Sequence, residues 1–174
     1  KKSLKDLTKV PIGINKNNLE ISTYDFKKNF INLVTAKNID IAIEFISHII
    51  EEIKLLKDIG IVIFDAERIL QTSKLDLNLY FNQFMELLQK NTNKDVICVI
   101  LGVDKFINEI ENGERSFLEM LKKAKENNNY NFIFVENFTK LKSKEYDEWY
   151  KTYVVNDSGI WIGNGVADQY LISI

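Results

Sequence analysis

The chain has 174 residues, a formal net charge of -2, and 45% hydrophobic residues against 28% charged ones. That length suits one domain with a real core, and the composition excludes a disordered tail, which needs low hydrophobicity and high net charge. The near-neutral balance argues against a dedicated nucleic-acid binder, whose affinity comes largely from Lys and Arg on phosphates. The single Cys excludes an internal disulfide, and the single His, His48, excludes a multi-His zinc site and argues against Ser-His-Asp chemistry.

No stretch approaches the about 18 apolar residues of a membrane span, and no secretory leader pattern is present. The chain opens Lys1-Lys2-Ser3 without a Met, which predicts a piece of a longer protein. Residues 1–28 read as a polar, irregular lead-in segment or linker, with the only proline in the extended run Val10-Pro11-Ile12-Gly13-Ile14. Residues 29–174 read as the domain. Asn29–Thr35 reads as a short strand, and Ile39 to Lys57 as a helix, because Ile39, Ile43, Ile46, Ile50, Ile53 and Leu56 recur at helical spacing. Ile61-Val62-Ile63-Phe64 is a continuous apolar run, the pattern of a strand buried on both faces. Asp76 to Lys90 reads as a second helix, with Leu79, Phe84, Leu87 and Leu88 among its apolar positions. Val96–Leu101 is another buried strand ending at Gly102, Ser116–Glu126 a third helix, and Phe132–Val135 a fourth strand. Lys140–Tyr153 reads as one short helix, and Gly159–Gly163 and Gln169–Ile174 as two further strands. The alternation predicts βαβ units: an α/β fold with a mostly parallel sheet and helices on both faces.

In such a sheet, ligands bind at the carboxyl ends of the strands. After the first strand comes Thr35-Ala36-Lys37-Asn38-Ile39-Asp40-Ile41-Ala42-Ile43, the joint where a phosphate-binding loop would sit. That loop needs glycines so that backbone N–H groups wrap the phosphates, a Lys for the β/γ-phosphates, and a Ser or Thr for Mg²⁺. Laid on Ala36 through Ile43, the spacing puts Ala36 and Ile41 in place of the glycines, Ala42 in place of the Lys, and Ile43 in place of the hydroxyl. Asp40, near the helix start, is expected to accept the N–H groups a phosphate would want, and to repel the phosphate. Lys37 is either an anion-catching lysine beside a helix N-terminus or a solvated one with Asp40 as the cap. The third strand ends Ile100-Leu101-Gly102, where a nucleotide hydrolase carries an Asp for Mg²⁺, usually followed by a Glu. Asp104, just beyond, suits a helix N-cap. Asp65, Glu67, Asp104 and Glu136 follow successive strands; they either hold a divalent cation or cap helices and face water. Cys98 reads as a buried core thiol, and His48 as a surface or satisfied core histidine.

Several of these stretches resemble one family. Val10-Pro11-Ile12-Gly13-Ile14 resembles the P-(I/V)-G opening of the FtsK/SpoIIIE-type ATPases, Phe30–Ile50 their strand–P-loop–helix, and Ile63-Phe64-Asp65 the strand that follows. Leu101-Gly102-Val103-Asp104-Lys105-Phe106 resembles the degenerate Walker B region of the C-terminal ATPase module in the EssC/EccC family of type VII secretion motors. The Gly-rich segment from Ser158 to Tyr170, the more specific part, resembles the same module. The resemblance implies a RecA-like (P-loop NTPase-like) domain of a membrane-anchored motor, with tandem ATPase modules on the cytoplasmic face of the bacterial cell membrane and room for a hexamer in the full motor. It implies a terminal module, often degenerate, that recognises secreted WXG100-type helical hairpins through their C-terminal export signals. With Ala36, Ile41, Ala42 and Ile43 in the phosphate loop and Leu101 and Gly102 in Walker B, no catalytic residue carries over. The expectation is a pseudo-ATPase module acting in substrate recognition or in contacts with adjacent modules of the same chain. No cofactor, metal or nucleic acid is expected, nor direct membrane contact by this part. The alternatives are an ATP- and Mg²⁺-binding module without hydrolysis, with Lys37 as its phosphate contact, and a metal-dependent phosphate-cleaving enzyme using Asp65, Glu67 and Asp104.

A partner would need a surface. Tyr146, Trp149, Tyr150 and Tyr153 form an aromatic cluster in the sequence, and Trp161 follows. Tyr and Trp are enriched at binding hot spots, and a helical signal would lay its apolar face in such a groove. The same rings could equally cover the sheet and pack the core; Trp161 is expected to pack, and Trp149 stays open between the two.

Overall fold

The computed structural model describes residues 7–14, 18–70, 76–155 and 159–163, and the backbone of 169–172. After a short 3-10 turn, Leu7–Lys9, the elements run β1 (Val10–Ile14), β2 (Ile21–Tyr24), β3 (Ile31–Ala36), α1 (Ile39–Lys54), β4 (Ile59–Asp65), α2 (Leu77–Leu88), β5 (Asp95–Leu101), α3 (Val103–Glu109), α4 (Gly113–Glu126), β6 (Tyr130–Asn137), α5 (Phe138–Ser143), α6 (Glu148–Tyr153), β7 (Gly159–Ile162) and β8 (Gln169–Ile172). β1 and β2 form a separate antiparallel hairpin; the main sheet has the order β4-β5-β6-β3-β7-β8. Its first five strands are parallel to their neighbours, and β8 is antiparallel to β7. This is the mostly parallel arrangement, with helices on both faces, expected from the alternation of apolar runs.

β3 and β6 lie inside the sheet, and nearly every residue in them is buried, as parallel strands covered on both faces require. One face packs on α1 through Ile43, Ile46, Ile49, Ile50 and Ile53. The other packs on α2, α3, α4 and α6, with Phe64, Phe106, Phe117, Phe132, Phe134 and Trp149 at its centre. The run Ile61–Phe64 was expected to be buried on both faces, yet β4 ends the sheet, and its residues are half-buried apart from Phe64. An edge strand has one neighbour, so apolar composition does not bring full burial.

Several local expectations are corrected. Helix α2 buries Leu77, Phe81, Phe84 and Leu88, while Leu79 and Leu87 are 57% and 41% exposed. Asp76 is outside the helix as its cap, accepting from the Asn78 and Leu79 N–H groups. Lys140–Tyr153 holds two short helices, α5 and α6, because Asn137 caps the first and the turn at 144–147 separates them. The polar lead-in is ordered where described: Leu7, Val10 and Phe26 are fully buried against the α1 side. The buried Asn32 ties this hairpin to the sheet. Its amide donates to the Phe26 and Phe132 carbonyls at 3.0 Å each, and its oxygen accepts from the Tyr24 hydroxyl at 3.0 Å.

The chain leaves β3 towards β4 and leaves β6 towards β7, in opposite directions on neighbouring strands. Their carboxyl ends are therefore the topological switch point, where an open α/β sheet places its ligand.

Candidate functional site

β3 ends at Ala36 and α1 begins at Ile39, so only Lys37 and Asn38 connect them. Five positions of the P-loop overlay, Ile39 to Ile43, are already helix. Ala42 and Ile43 are 0% and 1% exposed, facing the sheet. A phosphate cradle needs several consecutive backbone N–H groups turned inward on a loop, and a two-residue connection does not supply them. Asn38 caps α1, its side chain accepting from the Asp40 N–H at 2.9 Å. This corrects the expectation for Asp40: the carboxylate lies in the first turn, and the amide before it takes the capping position. Lys37 and Asn38 are exposed, and Ile41 is half-buried.

At the end of β5, Leu101 is fully buried and Gly102 adopts φ +86. A Cβ at Gly102 would stand 2.7 Å from both Cγ and Oε1 of Glu67. Glu67 lies across Gly102 and pairs with Lys105 through Oε2 at 2.7 Å. The helix that follows, α3, starts at Val103 with Gly102 in the N-cap position, so Asp104 is not its N-cap. The Asp104 N–H donates to Oε2 of Glu136 at 3.0 Å, while its carboxylate binds the Lys144 ammonium at 2.9 Å. Glu136, 1% exposed, also accepts from the Asn137 N–H at 2.8 Å. Burial pushes its carboxyl above the ordinary range, against the opposing pull of these two N–H groups and of Lys140. Asp65 accepts from the Ile69 and Leu70 N–H groups and so closes the loop after β4. The four strand-end acids are thus committed to caps, turns and ion pairs. Among the described residues, no three Asp, Glu, His or Cys side chains converge as a metal-holding set.

The switch point is filled by the chain itself. Thr35 is in register with Glu136 on one side and Trp161 on the other. Helix α5 packs on β3 and β6 there. Phe138 packs on Trp161 at a tilt of 42° with ring centroids 4.4 Å apart, and the Lys142 ammonium stands over the Phe138 ring at 5.9 Å. The Thr35 hydroxyl is buried beneath, with no hydrogen-bond partner.

The four rings proposed as one surface divide between core and solvent. Trp149 is 1% exposed and meets Phe117 and Phe134 edge-on at 5.1 and 5.7 Å. It is a core residue and offers nothing to a partner. Tyr150 and Tyr153 are half-buried against that core, Tyr153 with Phe30 at 5.8 Å. Tyr146 is 84% exposed in the turn between α5 and α6. Trp161 packs as expected. Cys98 is fully buried, and burial pushes its thiol well up; His48 is exposed. Sequence reasoning did not find Thr35, Lys144 or Asn32. The only signal available for Asn32 was a polar residue inside an otherwise apolar strand.

No protein-family model and no curated protein sequence matches this chain. Solved structures do. The cytoplasmic domain of the type VII secretion ATPase EccC from Thermomonospora curvata superposes with a TM-score of 0.61 at 14% identity, over 91% of this chain and 22% of that one. EssC (ATPases 2 and 3) from Geobacillus thermodenitrificans gives 0.62 at 14%, over 99% and 37%. EccC (ATPases 2 and 3) from T. curvata in complex with a signal sequence peptide gives 0.61 at 15%, over 90% and 34%. This chain spans between about a fifth and two fifths of those chains, and no described helix is long and apolar enough to cross a membrane. What these comparisons share with this chain is a fold: it is built like an ATPase module of the EccC and EssC secretion motors.

Proposed function

We propose that this chain is a pseudo-ATPase module of a type VII secretion motor, acting by protein recognition. One observation carries the loss of chemistry: the two-residue Lys37–Asn38 connection, where a nucleotide hydrolase builds its phosphate cradle. The filled switch point and the Glu67 side chain across Gly102 support the same reading. The recognition half draws on the structural neighbour that binds a signal sequence peptide. Its ligands here would be the export signals of WXG100-type substrates or adjacent modules of the motor.

Calorimetric titration tests both halves. Mg-ATP at millimolar concentration is expected to give no saturable heat and no rise in melting temperature, because a ligand that binds only the folded state must stabilise it. A C-terminal export-signal peptide is expected to bind saturably. ATP binding that is lost in Lys37→Ala would replace this reading with a nucleotide-sensing module.

A further inference from the structure

The fold treats the acids and the lysines at the carboxyl end of the sheet unequally. Glu67 is paired with Lys105 at 2.7 Å and Asp104 with Lys144 at 2.9 Å. Glu136 is buried and holds two backbone N–H groups. Lys37, Lys140 and Lys142, by contrast, have no ion pair among the described residues; Asp40, in the first turn of α1, also lacks one. The rim is therefore net positive on a chain whose formal net charge is -2. The three lysines surround one aromatic pair. Parallel register sets Ala36 beside Asn137 on one side and Ile162 on the other, so the chain reaches Lys37 next to Phe138 and Gly163. Lys142 stands one helical turn beyond Phe138, with its ammonium over that ring. The charge of Lys140 reaches the Glu136 carboxyl, two residues before Phe138. Phe138 and Trp161 pack on each other and are both half-buried, so their outer edges remain open to solvent.

We propose that this rim binds an acidic peptide segment of a protein partner, with an apolar or aromatic side chain on the Phe138–Trp161 pair and Asp or Glu carboxylates against Lys37, Lys140 and Lys142. The proposal gives the recognition inferred above a surface and a partner chemistry, and it rests on that reading. Charge complementarity selects the sign of the partner: the acids of this face are already neutralised or buried, and the lysines are not. Position selects the face, because the lysines ring the topological switch point. The arrangement suits carboxylates spaced along a peptide better than a phosphate. A phosphate needs converging backbone N–H donors, which the two-residue connection after β3 does not supply. Exposed ion pairs are weak one by one, so a dissociation constant of about 10–500 µM is expected at low salt.

The test is a titration of the 174-residue protein with a synthetic Trp-free peptide carrying Glu on both sides of a Leu-Phe centre, followed by Trp emission. Trp149 is 1% exposed, so a change on binding reports Trp161. A saturable change is expected. The same peptide with Gln for Glu is expected to bind about tenfold more weakly, and raising salt from about 0.05 to 0.5 M to weaken the Glu peptide about fivefold. Lys37→Glu and Lys142→Glu, both at exposed positions, are each expected to weaken it about fivefold. Lys122→Glu, the same charge change at an exposed position of α4, is expected to leave it unchanged. No saturable change, equal binding of the Gln peptide, or indifference to both rim variants would each overturn the proposal. So would tighter capture of a single-stranded oligonucleotide or a polyphosphate of equal charge. An export-signal peptide that binds both rim variants at full strength would leave the recognition reading standing and overturn this surface. Binding of the Glu peptide without binding of an export signal would support this surface and overturn that choice of partner.

Discussion

Gly102, at the end of β5, is where the proposed loss of an active-site acid can be tested energetically. Replacing it with Ala imposes two costs. At φ +86 an L-residue is strained, which costs about 1–2 kcal/mol. The new Cβ would stand 2.7 Å from Glu67 Cγ and Oε1, so Glu67 must move and loosen its 2.7 Å pairing with Lys105. Lys105 is half-exposed, and solvent screening limits that part to at most about 1 kcal/mol. Gly102→Ala is therefore expected to destabilise by about 2–3 kcal/mol, or roughly 5–10 °C in Tm for a domain of this size. Urea unfolding followed by fluorescence of the buried Trp149 measures it. Gly102→Glu, which writes an acid at the end of β5, adds a third carboxylate to Glu67 and the buried Glu136. It is expected to cost more than Gly102→Ala and to confer no Mg-ATP binding. The double change Gly102→Ala with Glu67→Ala removes the collision but not the backbone strain, so it is expected to cost less than the sum of the single changes. A Gly102→Ala variant within about 0.5 kcal/mol of the parent would refute the reasoning, because neither strain nor collision would then be real.

Two further outcomes are expected. Trp149→Ala removes the centre of the aromatic cluster and is expected to cost about 3–5 kcal/mol, whereas Tyr146→Ala on the surface stays within about 0.5 kcal/mol; chemical denaturation of both variants separates core from surface. The pH dependence of stability should carry the signature of Glu136. Its folded pKa lies above the ordinary value near 4.5, so between the two values the folded state binds a proton that the unfolded state does not. This contribution makes stability rise as pH falls through that window. Glu136→Gln is expected to remove that rise from unfolding curves measured at successive pH values; an unchanged profile would show that the carboxyl titrates normally.

Much of the architecture was legible in the residues. Apolar runs of strand length alternating with Ile or Phe at helical spacing specify parallel β and α elements through local periodicity, and β3, α1, β5 and β6 formed close to where that periodicity placed them. Helix starts were less legible. Asn38 and Asp40 are both good caps by residue type, and only the backbone geometry decided that Asn38 takes the position, which in turn set the connection after β3 at two residues. Strand order was not legible. Ile61–Phe64 reads like the run of β5, but β4 has one neighbour and β5 has two, and a neighbour is a tertiary fact. The same holds for Trp149, which sits in a charged stretch yet is buried because α6 lays it against Phe117 and Phe134. The sequence by itself determined which phosphate-binding residue types are missing. Only the tertiary structure decided what stands in their place: Glu67 across Gly102 and α5 over Thr35, each brought together by contacts between segments far apart in the chain.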